Sequence, residues 1–221
     1  MKHKTDIHNN NLSGNSGTTP HINVAILGGA FNPVTLGHIQ IATYVLSSTT
    51  LFDEVWLLPC YQHIYNKTME STKRRLEMCH IAVLAHEQIK VCDYEIMNQF
   101  IGGTYYLMKQ LLAEDFIKNT YDCSLIIGQD NANTFDKWVK HKELEQLIRF
   151  VIVPRQGIEK NPAITWYLHP PHLYLEGDKP VMKVSSTQVR ELLKQGDYSK
   201  ASELLDPTVL TYIREHNLYE A

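Results

Sequence analysis

Two short polar stretches, one near each end of the chain, carry side chains that could bind a phosphate group. The first is GGAFNPVTLGH, residues 28 to 38, which directly follows the apolar run INVAIL. Thr35 and His38 lie three residues apart, so both side chains would share one face in the first turn of a helix. Gly37 between them leaves the approach open, and the backbone amides of such a turn attract an anion. We therefore predict an anion site at this junction, with His38 and Thr35 as donors.

The glycines of this stretch determine how close a ligand could come. Gly28 and Gly29 have no side chains, so the backbone of Gly28, Gly29, Ala30 and Phe31 could lie directly against a nucleotide. The stretch is neither the dinucleotide fingerprint G-x-G-x-x-G nor a Walker A loop. Taken alone, it is also explained by an ordinary strand-to-helix turn with a capping threonine.

The second polar stretch is VSSTQVR, residues 184 to 190. Ser185, Ser186 and Thr187 offer hydroxyls and amides at a predicted helix N-terminus, and Arg190 follows one turn later. Taken alone, this pattern is also explained by a serine or threonine cap and a solvated arginine. Two such junctions on one sheet favour a shared ligand that carries phosphate.

The elements that must position these stretches alternate between short apolar runs and longer amphipathic ones. The predicted strands are 22 to 27, 54 to 59, 89 to 95, 124 to 128, 149 to 154 and 181 to 185. The predicted helices are 36 to 48, 72 to 86, 104 to 118, 141 to 147, 187 to 194, 199 to 205 and 209 to 216. The alternation predicts a Rossmann-like α/β fold with a doubly wound, mainly parallel sheet and a small C-terminal helical segment. Ligands of such sheets bind at the carboxyl ends of the strands.

The chain is predicted to form a single domain over residues 21 to 221. Residues 1 to 20 are rich in Asn, Ser, Gly and Thr, a composition that buries little surface, and are predicted to form a flexible tail. Residues 156 to 179 are rich in proline and aromatic residues and are predicted to form a long surface connection.

The composition argues against several classes of partner and site. A formal net charge of -3 gives no basic field for nucleic acid or an anionic membrane. No apolar run is long enough to span a membrane, and the first twenty residues lack the apolar core of a secretory signal. Cys60, Cys79, Cys92 and Cys123 form no C-x-x-C pair, which predicts reduced thiols in a cytoplasmic protein. Assembly into a homo-oligomer stays open.

The two polar stretches resemble the signature of the nucleotidylyltransferase superfamily, in which [H/T]-x-G-H follows the first strand and I-S-S-T-x-x-R opens a late helix. Here these motifs are residues 35 to 38 and 184 to 190. Within that superfamily the chain resembles the bacterial nicotinate mononucleotide adenylyltransferases. GGAFNPVTLGH is similar to that family's GGTFDPxHxGH, LIIGQDNANTFDKW to its IGxD segment with a following tryptophan, and VLTYIREHNLY to its closing Y-I-x-x-x-x-L-Y.

The resemblance implies a reaction and the residues that carry it. The adenylyl group of ATP is transferred to nicotinate mononucleotide, giving deamido-NAD and pyrophosphate, a step of NAD biosynthesis. His38 is implied as a donor to the ATP phosphates and Thr35 as a weaker, neutral donor. Ser186, Thr187 and Arg190, next to Ser185, are implied to hold the β- and γ-phosphates. Mg²⁺ is implied as the cofactor, bound mainly through ATP and water.

The same resemblance implies three residues for the acceptor. Trp138 stacks on the pyridine, Thr104 contacts its carboxyl substituent through backbone amides, and Asp130 binds a ribose or organises the site beside it. Each residue has a structural alternative. Trp138 could cover the edge of the core, and Thr104 and Asp130 could cap helices.

The chain departs from the family pattern at several positions. Thr35 stands where the family usually has a first histidine, and Asn32 replaces a common aspartate. Gly102-Gly103-Thr104 replaces the pattern S-Y-T. In the loop after the second strand, His63 and Lys67 could stand in for the family's basic pair.

Three functions stay open from the sequence. The first is adenylyl transfer to nicotinate mononucleotide, and the second is the same chemistry on nicotinamide mononucleotide or phosphopantetheine. The third is a catalytically silent nucleotide-binding protein. Trp138 favours a flat aromatic acceptor, and the retained His38 and Arg190 argue against a silent protein.

Overall fold

The computed structural model describes residues 21–62, 69–176 and 185–220, and its strands form one parallel sheet. The strands are β1 (Ile22–Gly29), β2 (Glu54–Pro59), β3 (Ile89–Val91), β4 (Tyr121–Gly128), β5 (Arg149–Val153) and β6 (Leu173–Tyr174). Their order across the sheet is β3-β2-β1-β4-β5-β6, and every neighbouring pair is parallel. The predicted doubly wound α/β fold is confirmed.

The helices connect the strands and close the chain. They are α1 (Leu36–Ser48), α2 (Thr72–Val83), α3 (Tyr94–Met97), α4 (Thr104–Leu111), α5 (Asp115–Lys118), α6 (Gln129–Ala132), α7 (His141–Leu147), α8 (Ser186–Lys194), α9 (Tyr198–Ser202) and α10 (Pro207–Glu215). Two short 3₁₀ helices, Phe135–Lys137 and Trp166–Leu168, lie between them.

The strand order reverses at β1, which pairs with β2 on one side and with β4 on the other. The chain winds outward from β1 in both directions, so the connections leave a crevice at the carboxyl ends of β1 and β4. β1 stays in register with β2 to its last residue, with Gly28 beside Leu58 and Gly29 beside Pro59. The glycine stretch therefore opens at the rim of this crevice.

Both faces of the sheet are covered, which explains why its central strands are continuously apolar. Ala25 and Leu27 belong to one buried cluster together with α1, α2, α8 and α10. Val24 and Ile26 belong to a second cluster on the opposite face, which is rich in aromatic side chains. Alternate residues of one strand thus enter two different cores, as a parallel sheet under helices requires.

The structure differs most from the predicted elements in three places, and several other element ends are shifted, as where the helix predicted over 72 to 86 ends at Val83. The strand predicted over 89 to 95 ends at Val91 and is followed by α3, and the helix predicted over 104 to 118 is divided into α4 and α5. The connection predicted over 156 to 179 contains β6, whose two residues pair with β5. Two residues are too few to show a hydrophobic pattern. This strand is therefore recognised only by its pairing with β5.

Several predictions fall on residues outside the described ranges. These are the flexible tail of residues 1 to 20, His63 and Lys67 of the loop after β2, and residues 181 to 184 of the sixth predicted strand. The single-domain boundary stays a prediction. In the described ranges, no helix combines the length and the apolar character needed to cross a membrane.

Candidate active site

The first polar stretch forms a loop between β1 and α1, and we call residues 28 to 33 the glycine loop. Gly28 is exposed, and a Cβ built on it would meet no atom within 4 Å, so its open side faces the crevice. A Cβ on Gly29 would lie 3.3 Å from the Phe31 ring. Phe31 is buried with a φ of 45°, a conformation that costs energy for a residue with a side chain. The backbone of the loop is thus bent tightly around its own aromatic ring.

His38 is held in one tautomer by the residue that precedes α1. The backbone N–H of Thr35 donates to His38 Nδ1 over 3.0 Å. Because an N–H group can only donate, Nδ1 must be unprotonated, and the Thr35 hydroxyl 2.9 Å away also donates to it. The proton of the neutral ring then lies on Nε2. His38 therefore presents an N–H donor, and Thr35, the N-cap of α1, orients it.

The environment of His38 keeps the imidazole uncharged. Burial, followed by the positive charge of Arg155, lowers the pKa of His38 from its usual 6.5 to about 4. The edge of the imidazole also packs on the Phe31 ring, with 4.9 Å between ring centroids. The lowered pKa makes His38 a neutral donor at neutral pH.

The second polar stretch begins α8 and is tied to the glycine loop. Ser185 is the N-cap, and its hydroxyl accepts from the Gln188 amide over 3.2 Å. The Ser186 hydroxyl donates to the Pro33 carbonyl over 2.8 Å. The hydroxyl has one proton, and the Pro33 carbonyl accepts it. Only the backbone amide of Ser186 therefore remains as a donor for the predicted phosphate contact.

Arg190 makes the second tie between α8 and the glycine loop. It donates from Nη1 to the Asn32 carbonyl over 2.7 Å and from Nη2 to Thr187 Oγ1 over 3.1 Å. Its guanidinium has five N–H groups, so further donors remain for an anion. The structure thus brings Thr35, His38, Ser186 and Arg190 together around one loop, and their binding of a shared ligand stays a prediction.

Asn32 explains one departure from the family pattern. Its side-chain oxygen accepts from the Tyr219 hydroxyl over 2.8 Å and from the Glu70 amide over 3.1 Å. Both partners are donors and Asn32 is 4 % exposed, so a neutral amide oxygen serves here as a carboxylate oxygen would, without a buried charge. Tyr219 is the last residue of the C-terminal motif VLTYIREHNLY. Through this bond the motif helps to hold the glycine loop.

Thr104 and Trp138, which the sequence predicts to bind the acceptor, are on neighbouring segments. Gly103 is the N-cap of α4, so Thr104 is the first helical residue and not the cap. A Cβ on Gly103 would lie 3.6 Å from Cβ of Val139, the residue after Trp138. Trp138 is half-buried against Phe135, with 5.6 Å between ring centroids. The ring is packed on one side and leaves part of its surface accessible.

Asp130 lies where β4 passes into α6, and it is not the cap of that helix because Gly128 holds that position. Its Oδ2 is 3.5 Å from Nη1 of Arg155, while its Oδ1 is buried and has no hydrogen-bond partner in the described part of the chain. A Cβ on Gly128 would come within 2.5 Å of Asp130 Oδ1 and of Arg155 Nε. A larger residue there would force these two side chains to move, because they close over the backbone of Gly128.

Arg155 was not predicted from the sequence. It follows β5 at the carboxyl edge of the sheet, pairs with Asp130 and influences His38. The available signal was its position as an early polar residue after an apolar strand. A cavity of about 550 Å³ opens beside it, lined by residues that include Gly157, Lys160 and Tyr174.

Over residues 21–62, 69–176 and 185–220, no group of three or more acidic, histidine or cysteine side chains could hold a metal ion.

Comparison with known proteins agrees with this geometry. Residues 26–192 match the cytidylyltransferase-like family. A probable nicotinate-nucleotide adenylyltransferase from Myxococcus xanthus is 34% identical over 202 residues, covering 90% of this chain and 96% of the relative. A second protein of that name, from Anaeromyxobacter dehalogenans, is 31% identical over 199 residues, covering 89% of this chain and 96% of its own length.

A solved structure shares the fold. The Plasmodium falciparum nicotinic acid mononucleotide adenylyltransferase, determined in complex with NaAD, superposes with a TM-score of 0.77 at 23% identity, over 90% of this chain and 98% of that one. The chain therefore belongs to the cytidylyltransferase-like family and, within it, to the nicotinate-nucleotide adenylyltransferases.

Proposed function

We propose that this protein transfers the adenylyl group of ATP to nicotinate mononucleotide and releases pyrophosphate. The activity named for its relatives supports this proposal. The observation that carries it in this chain is the junction of β1 with α1. There His38 is fixed with Nε2–H as its donor, while α8 binds the same loop through Ser186 and Arg190.

The reaction needs no covalent intermediate with the protein. A phosphate oxygen of the acceptor attacks the α-phosphorus of ATP, and the bond from that phosphorus to the oxygen bridging the α- and β-phosphates breaks. The electron pair leaves with pyrophosphate, and no proton has to move. Positioning of the two phosphates and stabilisation of the developing negative charge then supply most of the acceleration.

The residues of the two junctions divide this work. His38 donates from Nε2 to a phosphate oxygen, and Thr35 keeps the ring in that orientation. The first amides of α8 and the unused N–H groups of Arg190 hold the remaining phosphates. ATP would carry Mg²⁺ into the site, held mainly by phosphate oxygens and water, and the ion would supply neutralisation of the phosphate charge.

The acceptor is assigned to the side of the crevice that carries α4. The first amides of a helix have no intrahelical partners, so Thr104 places a carboxylate-binding end near Trp138. This end favours the acid form of the pyridine over the amide form, because the amide offers only one oxygen and carries no charge. The partly accessible ring of Trp138 suits the flat pyridine.

Asp130 and Arg155 are assigned to the sugar and phosphate of a bound nucleotide. The Asp130 carboxylate, whose Oδ1 has no hydrogen-bond partner among the described residues, is assigned as the acceptor for a ribose hydroxyl. The cavity beside Arg155 is assigned to the adenine. A cytoplasmic location is part of the proposal, since Cys60, Cys79, Cys92 and Cys123 are all free thiols.

The proposal is tested with purified protein, ATP and Mg²⁺ by measuring pyrophosphate release with each acceptor in turn. Nicotinate mononucleotide is expected to give the highest kcat/KM, nicotinamide mononucleotide a lower one, and phosphopantetheine no release. A higher kcat/KM for the amide would overturn the acid assignment alone. Bound ATP with no pyrophosphate from any acceptor would leave a silent nucleotide-binding protein.

A further inference from the structure

Arg75 lies on α2, outside the two junctions, and its side chain is completely buried at 0% exposure. Its guanidinium donates to four backbone carbonyls. Nη1 bonds to Ala30 over 2.7 Å, Nε to Glu70 over 3.0 Å, and Nη2 to Cys60 and Tyr61 over 2.7 and 3.0 Å. A buried cation costs several kcal/mol unless it is hydrogen-bonded in this way.

Three of these carbonyls belong to two loops at the carboxyl edge of the sheet. Ala30 is in the glycine loop, and Cys60 and Tyr61 directly follow β2. These loops diverge from a shared contact, in which the Cys60 amide donates to the Gly29 carbonyl over 2.9 Å. The Tyr61 amide is held in turn by Glu95, which accepts over 3.1 Å. Arg75 therefore fills the point where two neighbouring strand ends separate.

The pattern of acceptors requires a guanidinium. Arginine presents five N–H groups in one rigid plane, so a single side chain can join carbonyls from separate segments. A lysine ammonium is one atom with three protons and could not span the same set. A purely apolar residue would pack α2 against the sheet without joining the loops. The choice of arginine is thus explained by the loops and not by the core.

We infer that Arg75 is a positioning residue that fixes the glycine loop to the segment Cys60–Tyr61, so that the loops at the carboxyl ends of β1 and β2 keep one relative placement during adenylyl transfer. The catalytic part of this inference rests on the proposed function. In adenylyl transfer, small errors in the alignment of the two phosphates lower the rate of the chemical step more than they lower binding. Arg75 would then affect kcat without contacting either substrate.

The adjacent residue Arg74 provides a matched control. Its side chain is 34% exposed, donates to the Tyr212 hydroxyl over 2.8 Å and lies 3.7 Å from Glu77. Arg74 and Arg75 therefore share residue type and helix but face different surroundings. Arg75→Lys and Arg74→Lys make the same chemical change at the two positions.

The first test measures amide hydrogen exchange in the segments 28–31 and 60–61. We expect Arg75→Lys to raise exchange in both segments at once, and Arg74→Lys to raise it in neither. Unchanged exchange in both segments, or a rise spread evenly over the chain, would overturn the inference. Hydrogen exchange does not depend on activity. It therefore tests whether Arg75 joins the two loops even if the wild type releases no pyrophosphate.

The second test measures kcat and KM on the same proteins. Arg75→Lys should lower kcat by ~10²-fold, because alignment errors of this kind cost about that much. The KM for each substrate should change by less than about threefold, since no substrate contact is removed. Guanidinium ion at a concentration below denaturation should restore kcat in Arg75→Ala, and ammonium ion should not. A rise in KM with an unchanged kcat in Arg75→Lys would contradict the positioning role. An equal fall of kcat in Arg74→Lys would contradict it as well.

A folding control keeps both tests decisive. Arg75→Gln retains two N–H donors and fills most of the same space, so it is expected to fold and to show a weaker form of the same exchange pattern. If Arg75→Lys and Arg75→Gln both fail to fold while Arg74→Lys folds, Arg75 is a structural residue and the inference is overturned.

Discussion

The two strand-to-helix junctions carry similar polar side chains, but they use them differently. At the junction of β1 and α1, the side-chain contacts of Thr35 and His38 are internal to the junction and leave Nε2 of the imidazole for a ligand. At the start of α8, Ser186 and Arg190 point back to the carbonyls of Pro33 and Asn32. One junction therefore presents a donor, and the other holds the backbone that carries it.

A phosphate-binding motif therefore also depends on contacts from other segments that hold its backbone in place. The glycine loop is bent, with Phe31 at a φ of 45°, and such a conformation persists only when its surroundings fix it. Arg190, Ser186, Tyr219 and Arg75 supply those contacts from α8, the C-terminus and α2. Removing the presented donor should thus cost at least as much as removing any one of the supports.

The largest effect is expected at His38. His38→Ala removes the fixed N–H donor and should lower kcat by at least ~10²-fold, with little change in the KM of the acceptor. His38→Gln keeps an amide N–H near the same place and should retain part of the rate. Steady-state kinetics of pyrophosphate release measure both variants. A loss of ATP affinity with normal kcat would assign His38 to binding alone.

The next effect is expected at Arg190. Arg190→Lys cannot bond the Asn32 carbonyl and Thr187 together, and a lost charged hydrogen bond corresponds to about a tenfold loss in kcat/KM. The exposed Lys194 on the same helix supplies the control, since Lys194→Ala should be silent. A loss at Arg190 that equals the loss at His38 would erase the distinction between the two junctions.

A smaller effect is expected at Thr35. Thr35→Val removes the hydroxyl but keeps the backbone N–H to Nδ1, so one neutral hydrogen bond is lost and kcat should fall about fivefold. Thr35→Ser keeps the hydroxyl and should stay close to the wild type. If the valine variant lost as much as His38→Ala, Thr35 would be a direct donor to the phosphates and not an orienting residue.

The smallest effect is expected from pH. Because the pKa of His38 is lowered to about 4, the imidazole stays neutral from pH 8 to pH 5, and kcat should show no acid limb near 6.5 from this group. The unfolded chain binds the proton first as pH falls from 6.5 towards 4, so His38 makes the fold less stable in that range. Arg155→Gln removes the neighbouring charge and should raise the pKa, which an NMR titration of the His38 ring measures. An unperturbed pKa in the wild type would contradict the neutral donor.

Much of the fold was predictable because the hydrophobic pattern of a strand or helix lies within one short segment of the sequence. The continuous apolar runs of β1, β2, β4 and β5 predicted the buried parallel strands, and α1 and α7 have the predicted bounds. β6 was missed because two residues carry no period, and α4 and α5 were merged because the turn between them contains no glycine or proline.

The site was predictable where motifs carry it and not where contacts from distant segments do. Thr35, His38 and the start of α8 were predicted as site residues from the sequence, and the structure places them close together. Arg75, Arg155 and the bond from Tyr219 to Asn32 join residues up to 187 positions apart, and a single sequence holds no signal for such pairs. The role of the Ser186 hydroxyl also depended on where Pro33 lies.

The most direct test of this account is analysis of the products formed by the wild-type protein from ATP, Mg²⁺ and nicotinate mononucleotide. We predict deamido-NAD and pyrophosphate in equal amounts, with no AMP and no adenylylated protein. Recovery of unchanged nicotinate mononucleotide while ATP remains bound or is hydrolysed would contradict the central claim that these two junctions together carry out adenylyl transfer.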